Sequence, residues 1–149
     1  MTSRAPFQIL VFPFRIDNGS PRYALFKRRD GLYWQGIAGG GENKELPEQA
    51  ALREAEEEAG LSQGELIRLE SSCMIPVIDI NGFQWGPNVL VVPEYAFGFK
   101  IGDEKIILSD EHIDFGWFEF GAAQELLKWD SNKTGLWELH HRIETSMLS

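Results

Sequence analysis

Glu54, Glu57 and Glu58 stand at i, i+3 and i+4 in a segment with a helical pattern. Side chains at that spacing share one helix face. Neighbouring carboxylates repel, and like charges four apart destabilise a helix, so such a group calls for a compensating charge. A hard divalent cation such as Mg2+ supplies one, because it takes oxygen ligands. From Glu42 to Glu58 there are seven glutamates against Lys44 and Arg53, a net of −5 in a chain whose formal charge is −9. A solvated helix is the plainer explanation of an acidic run, but solvated faces usually mix the two signs. A cation held here would join the protein to an anionic phosphate chain.

The residues around these acids complete a longer pattern. Gly39, Glu45, Arg53, Glu54, Ala55, Glu57, Glu58, Gly60 and Leu61 resemble the Nudix box, with Ala55 where the family usually carries a larger aliphatic residue. The resemblance implies an α+β Nudix fold, a mixed β-sheet sandwiched between α-helices, with the box forming a loop–helix–loop. It implies that Glu54, Glu57, Glu58 and the Gly39 carbonyl bind Mg2+, with Mn2+ as a substitute. Glu45 and Arg53 match a pair that buttresses the loop against the helix. On spacing alone, Arg53 is equally an exposed i, i+4 partner of Glu57.

The same resemblance implies hydrolysis of a small phosphorylated substrate, a nucleoside-triphosphate-like molecule, to a monophosphate and pyrophosphate. Trp34–Glu42, Glu111-His112 before Trp117, and Lys128–Lys133 extend the likeness to the dihydroneopterin-triphosphate and dATP pyrophosphohydrolase branch. Diadenosine polyphosphates, nucleotide sugars and RNA 5′ ends stay open as substrates. A catalytically silent nucleotide-binding module is the alternative from another class, and the intact set of mutually repelling acids argues against it.

The elements that must position these residues are legible in outline. Phe7–Ile16 and Arg22–Arg28 read as strands joined through the Asp17–Pro21 turn. Trp34–Ala38 reads as a short strand running into Gly39-Gly40-Gly41, a run that suggests tight or left-handed backbone. Pro47–Ala59 is the clearest helix, with Pro47 in its first turn, Gly60 as its stop, and Ala51, Leu52, Ala55 and Ala59 as its packing stripe. Leu66–Ile80 and Asn88–Ile101 read as strands flanking an Asn81-Gly82 turn, the second interrupted by Pro93, and His112–Phe120 as another. Helices are expected over Gly121–Trp129 and from Lys133 to Met147, with Asp130-Ser131-Asn132 supplying caps.

The box acids are all assigned to metal, so a further carboxylate is wanted to activate water. Glu111 fits that role, with Asp110 as its nearest rival and Glu56 pointing away. A ring-binding slot needs aromatic or apolar walls with a few polar groups, and Trp34, Phe83, Trp85 and Tyr95 are candidates, each of them also a natural core residue. Lys27, Arg28 and Arg29 are placed to reach a phosphate chain, or simply form a solvated strand end. His140 and His141 diverge by about 100° on a helix and make no joint site.

Composition sets the outer limits. The 149 residues fit a single domain, 1–149, and the acidic balance excludes a long nucleic acid as partner. A lone Cys73 and the absence of a signal or membrane-spanning segment point to the cytoplasm, with no membrane partner, and a homodimer is left open.

Overall fold

The computed structural model describes residues 3–145. The first strand, β1 (Arg4–Asp17), decides the architecture because it is buried on both faces. Ile9 and Val11 point one way, Leu10, Phe12 and Phe14 the other, and none is more than 1% exposed. A strand apolar on both faces needs helices on both sides of its sheet. α1 (Pro47–Ala59) covers the first face, and α2 (Phe120–Leu126) with α3 (Asp130–Glu144) covers the second.

β1 is also the hub of the hydrogen-bonded sheet. Along one edge it pairs antiparallel with β2 (Ser20–Arg28) and β4 (Ile37–Glu42), and along the other it runs parallel to β6 (Val91–Ile101). β5 (Gly64–Pro76) lies beyond β6, while β3 (Trp34–Gln35) and β7 (His112–Phe118) flank β2. The expected mixed sheet between helices is what the chain forms. β4 pairs only with β1, which leaves its outer edge unpaired among the described strands. No helix among the described residues is long and apolar enough to cross a membrane.

α1 starts at Pro47 and stops at Gly60, whose φ of 68° lets the chain turn out of the helix while its N–H still reaches the Glu56 carbonyl at 2.9 Å. Its packed stripe is Ala50, Ala51, Ala55 and Ala59. Leu52 is not in it; at 47% exposed it faces solvent, because the helix sits close enough to the sheet for alanines alone to fill the gap.

Several boundaries differ from the sequence reading. The Trp34–Ala38 strand breaks at Gly36, where a Cβ would lie 2.9 Å from the Val11 carbonyl oxygen. Gly39-Gly40-Gly41 is extended strand, with positive φ at none of the three. These glycines are required by close approach instead: a Cβ on Gly41 would meet the Phe7 ring at 2.3 Å. β5 ends at Pro76 in a single 3-10 turn, Val77–Asp79, and an irregular loop follows as far as Leu90. Pro93 does not break β6, because it lies just before pairing with β1 begins at Glu94. β7 ends at Phe118, and α2 spans only Phe120–Leu126. Asp130-Ser131-Asn132 forms the first turn of α3 rather than preceding it. Met147, the expected end of that helix, lies outside the described residues.

β5 carries a bulge that α3 repairs. Between Arg68 and Ser72 it advances four residues while β6 advances two, from Phe97 to Tyr95. The strand N–H groups of Glu70 and Ser71 donate instead to the Glu138 carboxylate, each at 2.8 Å, and the Ser71 hydroxyl donates to it at 2.6 Å. Arg142 donates a fourth bond at 2.9 Å. Burial pushes the Glu138 carboxyl up, but these donors outweigh it and hold the group below the usual carboxylate range. Glu138→Ala should therefore lower stability by about 1.5–3 kcal/mol, read from urea midpoints at unchanged slope. The lowered group stabilises the fold fully above the ordinary carboxylate pKa and loses that effect as pH falls through its own value. The gap between wild type and variant should accordingly close in acid. A gap independent of pH would mean that the carboxylate is not the clamp.

Candidate active site

Arg53 organises the acidic segment. Its Nε and Nη2 donate to Glu45 at 2.8 and 3.1 Å, and Nη2 also donates to the Gly40 carbonyl at 2.7 Å. Glu45 in turn accepts the Glu42 N–H at 2.8 Å, so the loop before α1 is tied to the helix through one guanidinium. The i, i+4 contact with Glu57 is present as well, at 3.2 Å, and Nη1 reaches Glu54 at 2.9 Å. The Glu45 hydrogen bonds hold Arg53 above the usual guanidinium range, and the same bonds hold Glu45 below that of a carboxylate.

The three helix acids are not equivalent. Glu54 and Glu58 are 8% and 6% exposed at the margin of the packed face, while Glu57 faces solvent and Glu56 points away. Glu54 presses on β4: a Cβ on Gly39 would lie 2.3 Å from its carboxyl carbon. Burial pushes Glu54 up to about 7 against the pull of Arg53. Successive strand carbonyls point to opposite edges. The Gly40 carbonyl is taken by Arg53 and β4 pairs only with β1, so by this alternation the Gly39 carbonyl faces β1 and the carbonyl free on the open edge is that of Ala38. No three acidic, histidine or cysteine side chains among the described residues form a ready-made metal cage, and Arg53 stands between Glu54 and Glu57.

The loop following β6 brings in the remaining acids. Its Ile107 and Ser109 N–H groups donate to the Ala59 and Glu58 carbonyls, at 2.9 and 3.2 Å, using acceptors the end of α1 leaves free. That contact sets the Ser109 hydroxyl 2.6 Å from the Glu58 carboxylate. Glu111 follows, its backbone carbonyl accepting from Arg29 N–H at 3.0 Å and its carboxylate paired with Arg28 at 3.2 Å. Glu58 is raised first by burial, then by the adjacent Glu111 charge, with Ser109 opposing. Asp110, the rival, offers only its carbonyl, to Arg29 at 2.8 Å.

His112 was noticed in the sequence only as half of a Glu-His pair. It is 2% exposed, packs on Phe26, and places Nδ1 3.5 Å from Glu58, with neither ring nitrogen hydrogen-bonded among the described residues. Burial, and after it the Arg28 charge, holds its pKa below the usual imidazole range.

A cavity of about 670 Å3 opens on the other face of the sheet. Tyr33 and Trp129 form one wall, at 5.5 Å and edge to face, with Lys128 Nζ within 4.9 Å of both rings. Met74, Ile75, Pro76 and Ile80 form another wall, and the polar groups are Gln8, Gln35, Glu94, Ser131 and Asn132, with the exposed Asp79 at the rim. The aromatic residues singled out from sequence are elsewhere. Trp34 packs against Phe118 in the α2–α3 core. Tyr95 lies on the α1 face between Phe7 and Arg68, because strand side chains alternate and it is Glu94 that turns to the cavity. Phe83 is exposed, and Trp85 donates to the Arg4 carbonyl at 2.9 Å. Arg28 and Arg29 hold the Glu111 loop rather than lining the cavity. His140 stacks on Phe120 and His141 on Trp137, confirming that the two diverge.

The donor set suits a hard cation. It is all oxygen, it is partly desolvated, and a glycine leaves room for the Glu54 carboxylate where any other side chain would fill the space. Replacing Arg53 by Lys keeps the charge but loses the fork that spans Glu45, Gly40 and Glu54. Arg53→Lys should cost about 1.5–3 kcal/mol in thermal or urea unfolding with chelator present. Wild-type stability in that variant would reduce Arg53 to a surface partner of Glu57.

Comparison with known proteins places this geometry. A family profile described as the NUDIX domain matches residues 8–137. Dihydroneopterin triphosphate diphosphatase of Escherichia coli is 28% identical over 138 residues, covering 89% of this chain and 91% of its own. The asymmetrical bis(5′-nucleosyl)-tetraphosphatase of Sus scrofa is 29% identical over 127 residues, 85% of this chain and 83% of its own. A solved structure from Listeria monocytogenes, ascribed to the NUDIX hydrolases, is 36% identical with a TM-score of 0.87, covering 95% of this chain and 97% of that one. By the reach of that profile and by these relatives, the chain belongs to the NUDIX family, as a hydrolase of phosphorus-containing anhydrides.

Proposed function

We propose that the enzyme is a Mg2+-dependent pyrophosphohydrolase that splits a triphosphate carried on a heterocyclic ring into a monophosphate and pyrophosphate. The observation that carries this reading is adjacency across β4. Ala38 lines the ring-sized cavity, and the next residue, Gly39, packs on Glu54. A ligand whose ring fills the cavity can thus lay its phosphate chain along the strand's open edge to reach the acids. The dihydroneopterin triphosphate diphosphatase relative supports a triphosphate substrate. The bis(5′-nucleosyl)-tetraphosphatase relative supports a dinucleoside tetraphosphate as the second reading.

Glu54, Glu57 and Glu58, with the Ala38 main-chain carbonyl, would hold the cation. Bound there, Mg2+ or Mn2+ neutralises the phosphates and favours deprotonation of the attacking water. The protein's own groups do the remainder. Arg53 fixes the helix acids relative to the loop, and the Ser109 hydroxyl holds Glu58, with the buried His112 ring packed beside it. Glu111, half exposed on the adjoining loop, takes the proton of the attacking water. Arg28 donates to that carboxylate at 3.2 Å and restrains it.

A screen of pyrophosphate or phosphate release should find turnover of dihydroneopterin triphosphate or a nucleoside triphosphate with Mg2+, and none in excess EDTA. Full activity in EDTA would remove the metal from the mechanism, and exclusive turnover of dinucleoside tetraphosphates would favour the second reading. Glu111→Gln should lower kcat roughly 10²- to 10⁴-fold, the usual contribution of a general base, with little change in KM. A loss confined to KM, or a larger loss in Asp110→Asn, would move the base elsewhere.

A further inference from the structure

Glu94 is the buried carboxylate of the cavity, and the reaction does not use it. It is 8% exposed, projects from β6 onto the cavity face, and its protein donors among the described residues are the Ser131 hydroxyl and the Cys73 thiol, the latter at 3.6 Å. Burial raises it above the usual carboxylate range, as expected for an acid with too few donors. A buried carboxylate has two oxygens that only accept once it is ionised, so its complement is a pair of parallel N–H donors. The amide groups nearby complete a directional pattern. The Asn132 oxygen already accepts Gly36 N–H at 3.0 Å, and its NH2 makes one long bond, 3.5 Å, to the Ser131 hydroxyl, which leaves its second N–H as a donor for a ligand carbonyl. Gln35, 6% exposed, offers a second amide. Tyr33 and Trp129, edge to face, supply the aromatic wall.

Resting on the hydrolase reading above, we infer that Glu94 reads the substrate's ring and that this ring is a 2-amino-4-oxo heterocycle of the pterin or guanine kind. Such a ring presents a ring N–H and an exocyclic NH2 side by side, both donated to Glu94, with its carbonyl turned to the amides. Adenine offers a donor beside an acceptor, an edge that suits an amide such as Asn or Gln and leaves a carboxylate oxygen facing a lone pair. Hypoxanthine keeps the ring N–H and the carbonyl but lacks the amino group, so it isolates one of the two bonds.

Binding without turnover separates this inference from the hydrolase reading. NMR titration of the metal-free protein with GMP, IMP, AMP and neopterin should rank GMP above IMP by roughly tenfold to a hundredfold, the effect of one charge-assisted hydrogen bond, with AMP weakest. Neopterin against GMP tells which ring fills the slot. Glu94→Gln should bring the GMP-to-IMP ratio toward one. Should that variant fail to fold, Glu94→Asp, its carboxylate withdrawn by one methylene, should still shrink the ratio. AMP or IMP binding as tightly as both GMP and neopterin, or a ratio unchanged in the folded variants, would overturn the inference. Triphosphate hydrolysis without any such preference would leave the enzyme reading standing and this one refuted. Preference without hydrolysis would do the reverse.

Discussion

A buried carboxylate pressed against a bare strand is the contact on which the site depends. Glu54 lies where a side chain on β4 would be, so the strand needs glycine at residue 39 and the helix needs alanines to come that close. Moving Glu54 out of water costs free energy, visible in its raised pKa, and Arg53 offsets part of it. The arrangement is therefore strained electrostatically but not in its backbone, which is ordinary extended strand at all three glycines. A cation bound beside Glu54 would relieve that repulsion.

The second acid comes to the site by a different route. Helix ends leave carbonyls without partners, and the end of α1 satisfies two of its own by binding the backbone of the loop that ends in Glu111. Pairing of β7 with β2 then fixes that loop from its other end, through Arg28 opposite His112. The helix carrying the fixed acids and the loop carrying the accessible one are thus registered against each other by main-chain bonds. Their side chains do not have to do the positioning.

How much could be read in the sequence follows from how local each feature is. α1 and its acids were legible because one helix turn sets their spacing, and the Arg53–Glu45 link because both lie within one loop and helix. The glycine run was read as turn chemistry, since nothing nearby in sequence reveals that Phe7 and Glu54 lie over it. The cavity was beyond reach for a similar reason. Gln8, Gln35, Met74, Glu94 and Asn132 come from five different elements, and only the register of β1 against β4 and β6 brings the strand members to one face. Tyr95 shows how sharp that condition is, as one residue along β6 separates the cavity from the opposite side of the sheet. Leu52 fell outside the packed stripe because hydrophobicity predicts burial, whereas the narrow gap admitted only methyl groups.

The open edge of β4 has a consequence unconnected with catalysis. An extended, side-chain-poor strand with one free edge is a template onto which another chain's strand can add, and proteins guard such edges with charge or cover. Here the Gly40 carbonyl is already occupied by Arg53, and the Arg4 guanidinium lies against the same glycine. Loss of Arg53 would uncover a docking register for a foreign strand along the triple glycine. The guanidinium that orders the acids thus also occupies the free edge of its own strand.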